Sequence, residues 1–305
     1  MRPTVKIIED SVSPQGERLT SVLFSNPRFV HADFMTHRVF SRNGRSSRAV
    51  PTKRLLAEPI VEPLFYGANK SGMSAGAELT GWRYLLARGT WLGMANLTKL
   101  GVRVLHLAGL HKQWANRPLE WFGKIDVLVT STDWTNFMAL RDDSGAQPEI
   151  RALAKEIRIA LAESTPRALQ PGQWHMPFVS DEERATLPIP EQLVLSTARC
   201  ARLTIEPFDG NADYDAEKAR FERLVVSQPV HASPAEHQAT PDIATSSVKQ
   251  PWKNAHLHGN FRGWVQHRKL LQNEAVFDEP YSGKALFPQE TGPQPDPNVT
   301  PAEAA

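Results

Sequence analysis

A fold containing both strands and helices is what three features of the sequence predict. Short β-type runs lie at residues 5–8 and 19–24, and again at 125–130 (IDVLVT). Helical periodicity marks 75–99, 101–117, 147–163, 191–205 and 213–226. The chain has 305 residues, 41% of them hydrophobic and 22% charged, enough to bury a core without cross-links.

Each element has a local reason. Apolar, β-branched residues make the first two runs extended, and Pro27 opens a further extended run through SNPRFVHADFM. From Thr36 to Arg54 the composition changes. THRVFSRNGRSSRAVPTKR holds six lysines and arginines (Arg38, Arg42, Arg45, Arg48, Lys53, Arg54) and no acid, with serine, asparagine and glycine interleaved. That pattern predicts a loop or broken helix. Leu79, Trp82, Leu85 and Leu86 then lie at i, i+3, i+6 and i+7, and Leu105, Leu107 and Leu110 continue the apolar theme. Asp133 is the expected N-cap of a helix through Leu140, and Pro148 opens the helix at 147–163. Proline and glutamine make 164–190 a connector. Residues 191–205 read as a helix running toward a strand, 231–241 as a loop or helix start, and 259–273 as a short element around Trp264. After Phe287 the Pro-rich tail is expected to be disordered.

Composition excludes several classes of function. Thirty-five lysines and arginines against 33 acids leave a net charge of +2, so the chain is no histone-like coat for nucleic acid, and any basic site is local. The single cysteine, Cys200, forms neither an intramolecular disulfide nor a thiolate zinc site by itself, which fits a reducing compartment. No apolar run approaches the ~20 residues of a membrane span. MRPTVKIIEDS meets an acidic pair too early for a signal peptide. A cytoplasmic protein without a membrane partner is expected.

Four groups of residues could carry chemistry. The basic segment offers planar guanidinium forks, hydroxyls and backbone N–H groups to an anion such as a nucleotide phosphate, although a solvated face is the commonest fate of a charge run. It lacks the aromatics of a single-strand stacking platform, so nucleic acid is not the expected partner. Arg141 ends the apolar helix of NFMALRDDSGAQPEI, either as a salt-bridged helix end or as a guanidinium aimed at developing negative charge. His231, Glu236 and His237 sit together, as do His256 and His258, but no metal-ligating helical spacing exists and no metal is expected. Cys200, inside the apolar STARCARLT, reads as a buried, inert thiol.

Taken together these blocks resemble the flavin-dependent thymidylate synthases. That family's signature is an Arg-His-Arg triplet, seven residues, a serine, and an arginine two further on; here Thr36-His37-Arg38 precedes Ser46 and Arg48 at that spacing. PRFVHADFM resembles the family strand leading into the triplet, and the Arg141 helix the one bearing a uracil-contacting arginine. HKQWANR resembles the helix that supplies a phosphate-binding arginine, here Arg117. STARCARLT resembles an Ala-Arg-(hydrophobic)-Ser stretch, with Thr204 as the hydroxyl, and HASPAEH the His-x-(Ser/Thr)-Pro-x-Glu-His flavin segment. The last two blocks precede the triplet in the common form of the family and follow the arginine helix here, so the order looks permuted. The sequence departs from the family at Thr36 (for Arg), Asp33 (for Gln), Gly44 (for an acid), Ala49 (for Tyr) and Gly145 (for His).

The resemblance implies an α+β fold, a mainly antiparallel sheet packed with helical bundles, in one catalytic domain over 1–287. Within it, 1–165 would hold the triplet and arginine helix, and 191–287 the permuted flavin-binding segments. It implies reductive methylation of dUMP with FAD as cofactor, methylene-tetrahydrofolate as carbon donor and NADPH as reductant, without an enzyme cysteine nucleophile. Arg141 and Ser46 would be catalytic. Asp33, Ser46, Ser47, Arg48, Arg117 and Arg141 would bind the nucleotide; His37, Arg38, Asn43, Asn136, Thr204, His231, Ser233 and Glu236 would hold the flavin. A homotetramer with active sites between subunits is implied as well. Three alternatives stand beside it. The same chemistry on another pyrimidine (dCMP methylation or hydroxymethylation) is motivated by Asp33, whose carboxylate favours a ring amino donor. The others are a nucleic-acid-binding homologue and a structural subunit that has lost the cofactor. A second His–Arg pair, His267–Arg268, reads as structural.

Overall fold

A computed structural model describes residues 2–205, 210–226, 230–272 and 274; the expected disordered tail at 288–305 lies outside them. The fold is α+β. Strands β1 (Thr4–Val12) and β2 (Arg18–Pro27) form an antiparallel hairpin whose turn needs Gly16 at φ +83°, a left-handed conformation that glycine adopts without steric cost. Pro27 ends β2 rather than opening another extended run. It has no N–H for the ladder, and the chain turns through a 3-10 segment (Arg28–Val30) into helix α1 (His31–Met35). Burial falls on Val30, Phe34 and His37, a helical rather than an alternating period.

The basic segment is more ordered than a loop. It forms strand β3 (Ser41–Gly44), a 3-10 turn (Ser47–Ala49) and helix α2 (Thr52–Ala57). Two helices expected over 75–117 are instead one long α3 (Gly81–Leu107), which passes through Gly101 and ends before a left-handed Gly109, and a short α4 (Lys112–Ala115). Strand β4 (Lys124–Ser131) follows, then α5 (Thr135–Arg141), whose N-cap is Trp134 rather than the expected Asp133; one residue further out, the Asp133 carboxylate accepts from the Thr135 N–H at 2.8 Å. Helix α6 (Pro148–Glu163) has Pro148 in its first turn, as expected. The connector 164–190 contains β5 (Arg167–Ala168) and α7 (Asp181–Thr186), the latter started by a Ser180/Glu183 capping box. Helix α8 (Ile189–Arg202) ends at a left-handed, buried Leu203, and among the described residues, which run to Ile205 here, no strand continues it. After α9 (Tyr214–Phe221) and a π-turn (Glu222–Val226), HASPAEH makes a 3-10 turn (Ser233–Glu236). Strands β6 (Ala239–Pro241) and β7 (Trp264–Gln266) pair antiparallel beyond it.

The main sheet runs β3-β4-β2-β1-β5, antiparallel except where β5 joins β1. Both faces are covered. Val22, Phe24, Val127 and Val129 pack against Phe34, Phe40, Phe137 and the α6 row Ile150, Leu153 and Ile157. On the other face Leu128 meets Phe178, Cys200 and Leu203, and Leu19 meets Leu169, Phe261 and Trp264. A polar relay crosses that second face between the two apolar clusters. His175 bonds Ser11 and Ser21 at 2.9 and 2.8 Å, Ser21 bonds Thr130, and Thr130 bonds His237 at 2.8 Å. The segments that follow α6 in sequence are thus laid across the sheet built by the first half of the chain, and they meet the basic segment at β3.

Candidate functional site

The triplet-like residues sit where α1 turns into β3, and α5 brings Arg141 to them. The Arg141 Nε donates to His37 Nε2 at 3.0 Å. Its Nη2 donates to the Asp33 carbonyl and to Thr36 Oγ1, both at 3.1 Å. The Arg42 Nη1 donates to the carbonyls of His37 and Met35 at 2.7 and 3.1 Å. Burial, then Arg141 and Arg42, pushes the His37 pKa below its ordinary value, so the ring is neutral and its Nε2 is a bare acceptor. Phe137 packs edge-on against that ring at 5.0 Å between centroids. The half-buried guanidinium of Arg141 is therefore held at three points, in the last turn of a helix whose negative end favours a cation. Its Nη1 has no protein partner among the described residues.

Beside this cluster lies a cleft of about 490 Å³ lined by Arg38, Phe40, Arg42, Glu236, Asn260, Gln266, Arg268 and Lys269. The size is that of a small-molecule pocket. The turn at Ser233–Glu236 packs against β3 and α8, which brings Glu236 into the cleft with Arg38 and Arg42. Asn43 on β3 reaches the Cys200 carbonyl at 3.4 Å. Cys200 is fully buried, its thiol pushed up by desolvation and held by Gln238, so it is the inert thiol expected.

Ser47 and Arg117 meet through Glu120. The Ser47 hydroxyl donates to the Glu120 carboxylate, which also takes Arg117 at 2.9 Å and Arg28 at 3.1 Å. The Asn116 amide donates to the carbonyls of Ser47 and Val50 and fixes the turn that carries Ser46 and Arg48. The Ser46 hydroxyl accepts from the Arg48 N–H, and Arg48 itself is exposed with no carboxylate partner among the described residues.

Not every expected residue joins these groups. Asn136 is exposed in the first turn of α5. His231 and Ser233 are exposed, and Thr204 lies past α8, where its carbonyl accepts from Arg202 at 2.9 Å. Asp33 meets Arg141 through its backbone carbonyl rather than its carboxylate. Nor is the basic segment one solvated face, because Arg45 is bound to Glu58 and Asp126 at 3.0 and 3.1 Å. Arg199 of STARCARLT is bidentate to Glu183 and belongs to the packing of α8 on α7. Sequence reasoning passed over Glu120, Asn260, Gln266 and Lys269, and read Arg268 as structural. The repeated His–Arg pair was the available signal, and the structure puts His267 in the core and Arg268 in the cleft. Among the described residues no three histidine, cysteine, aspartate or glutamate side chains gather as a metal set. None of the helices among them is long and apolar enough to cross a membrane.

No family model and no curated protein matches the chain. Among solved structures it is similar to two of the UMP/dUMP methylase PolB from Streptomyces cacaoi, one bound with 5-Br UMP and one with 5-Br dUMP. Identity is 16% to each, the match covers 53% of this chain and 89% and 90% of those, and the TM-scores are 0.41 and 0.40. Likeness of this degree carries no argument about activity.

Proposed function

We propose that the protein transfers a one-carbon unit to a pyrimidine nucleoside monophosphate, with dUMP as substrate and FAD as cofactor, in the manner of the flavin-dependent thymidylate synthases it resembles. One observation carries the reading. Motifs from opposite halves of the chain converge on β3: Arg141 on His37 and Thr36, and Glu236 on the cleft of Arg38 and Arg42. The cationic lining of that cleft fits a flavin dinucleotide, whose diphosphate requires positive charge.

The flavin, when bound, supplies the hydride; methylene-tetrahydrofolate supplies the carbon and NADPH the reducing equivalents. The chain's own residues orient and stabilise. Arg141 presents a fixed guanidinium to negative charge developing on the pyrimidine carbonyl oxygens, an effect of about 3–4 kcal/mol for one preorganised donor. His37, Thr36 and the Asp33 carbonyl hold that guanidinium still. The Ser46 hydroxyl and the Arg48 guanidinium take the 5′-phosphate, with Arg117 and Ser47 arranged around Glu120 behind them. Arg38 and Glu236 line the cleft that would hold the cofactor, and His37 acts through Arg141. We place the active sites between subunits of a homotetramer, a reading supported by the exposed apolar stripe of α3.

The test is a visible spectrum of the purified chain, mixed with FAD, desalted, and titrated with dUMP and with dCMP. A retained flavin band that shifts with a pyrimidine monophosphate, and fails to shift in Arg141→Ala, is the expected result. A chain that retains no flavin with either nucleotide overturns the reading.

A further inference from the structure

The cleft beside β3 has two cationic walls, and only one belongs to the motifs considered so far. Arg38 and Arg42 form the first; neither has an ion pair among the described residues. The second is the 3-10 turn after β7 (His267–Leu270), which contributes Arg268 and Lys269. Between them the floor is preorganised. The Gln266 Nε2 donates to the Glu236 carbonyl and to Asn260 Oδ1, both at 3.0 Å, and to Ser41 at 3.2 Å. Gly259, at φ +60°, lies so close to that amide that a Cβ would come within 2.4 Å of Gln266 Oε1. The two cations of the second wall share a carboxylate. Arg268 bridges Glu236 and, at 3.0 Å, Glu274, and Lys269 binds the other Glu274 oxygen at 2.7 Å. Four cations against two carboxylates leave a net positive cleft.

We propose that this cleft binds the diphosphate of a nucleotide ligand, with Arg268 and Lys269 taking oxyanions that replace the Glu274 carboxylate and Arg38 and Arg42 closing from the other side. One phosphoryl group satisfies a single wall; two linked groups match two walls, each carrying a pair of donors. The assignment deepens the flavin reading, on which it rests for the identity of the ligand, because it names the part of a dinucleotide that lies here.

The experiment titrates inorganic pyrophosphate into the full-length chain by calorimetry. Arg268→Gln is expected to weaken binding at least tenfold. Glu274→Gln, which frees Lys269 and leaves Arg268 paired with Glu236 alone, is expected to tighten it at least threefold, a gain no misfolded chain would show. Circular dichroism melts check that both variants fold. No binding by the wild-type chain, an unchanged affinity in Arg268→Gln, or no gain in Glu274→Gln overturns the proposal. FAD retention is read separately. Flavin held equally by wild type and Arg268→Gln overturns this assignment and leaves the proposed function standing. Pyrophosphate binding that depends on Arg268 in a chain retaining no flavin does the reverse.

Discussion

Arg141 shows how much a single guanidinium depends on its setting. Its Nε and Nη2 are used on His37, Thr36 and the Asp33 carbonyl, so the orientation of the planar fork is set before any ligand arrives. Lysine has the charge without the fork. Arg141→Ala is therefore expected to lower kcat/KM for the proposed pyrimidine methylation by roughly 10²–10³, and Arg141→Lys to recover less than a tenth of the loss, measured by steady-state kinetics with dUMP. Recovery of full activity by lysine would show that charge alone suffices. The approach of Arg141 to His37 was not legible in the sequence, since 104 residues separate them. What was legible was that each stands in an unusual local composition: a cation closing an apolar helix, and a histidine opening an acid-free basic run.

Helix α3 poses the corresponding question at the scale of an element. Its 27 residues span about 40 Å. Ala95 and Val102 are buried, while Trp82, Leu86, Leu97, Leu100, Val104 and Leu107 are all more than half exposed. Those spacings of three, four and seven, with Gly89 and Gly93 open beside them, trace a stripe along one side of the helix. An apolar stripe of that length marks an interaction surface, and a second copy of the chain covers it in the proposed assembly. The double variant Leu97→Glu/Leu100→Glu is expected to convert the oligomer to a smaller species in light scattering, with an unchanged far-ultraviolet circular dichroism spectrum. A wild-type chain that scatters as a monomer sinks the assembly. The apolar periodicity here was readable, but its direction was not. A helix that faces solvent in one chain and a partner in another has the same pattern as a helix that faces its own core.

At the scale of the molecule, the sheet's second face stores a pH dependence. His237 is driven down to about 3 and His267 to about 4, both by burial, and His175 lies well below its ordinary value for the same reason. All three are neutral in the folded protein and titrate near 6.5 once unfolded. The unfolded state thus binds more protons below that value, and stability falls as pH drops from about 6.5 toward 4, by up to ~1.4 kcal/mol per pH unit for each histidine. Above about pH 7 these groups contribute no slope. Thermal melts in a pH series are expected to show Tm falling steeply below 6.5, with a shallower fall in His237→Gln. Equal slopes in the two proteins would remove His237 from the account. The same burial makes the Ser11–His175–Ser21–Thr130–His237 relay a structural spine joining β1, β2 and β4 to the segments laid over them.

The sequence by itself determined the kinds of element present and the places where chemistry concentrates. Apolar periodicity gave α6 and α8 nearly to their ends, because a helix buried along one face repeats its signal every turn. The basic run, the Arg141 helix and HASPAEH stood out by composition alone. Besides the helix boundaries over 75–117, local pattern misread the helical turn after Pro27, the strand within the basic segment, and the left-handed end of α8 at Leu203. In each of the latter three, a partner distant in sequence overrides a local preference: the buried aromatic cluster around Phe34, the open edge of β4, and the Phe178–Cys200 cluster. Only the tertiary structure decided that segments from the second half of the chain close over β3 and set Glu236 and Arg268 against Arg38 and Arg42. Pairwise contact over two hundred residues leaves no periodic trace, and Arg268 reads as an ordinary surface cation until the fold places it in the cleft.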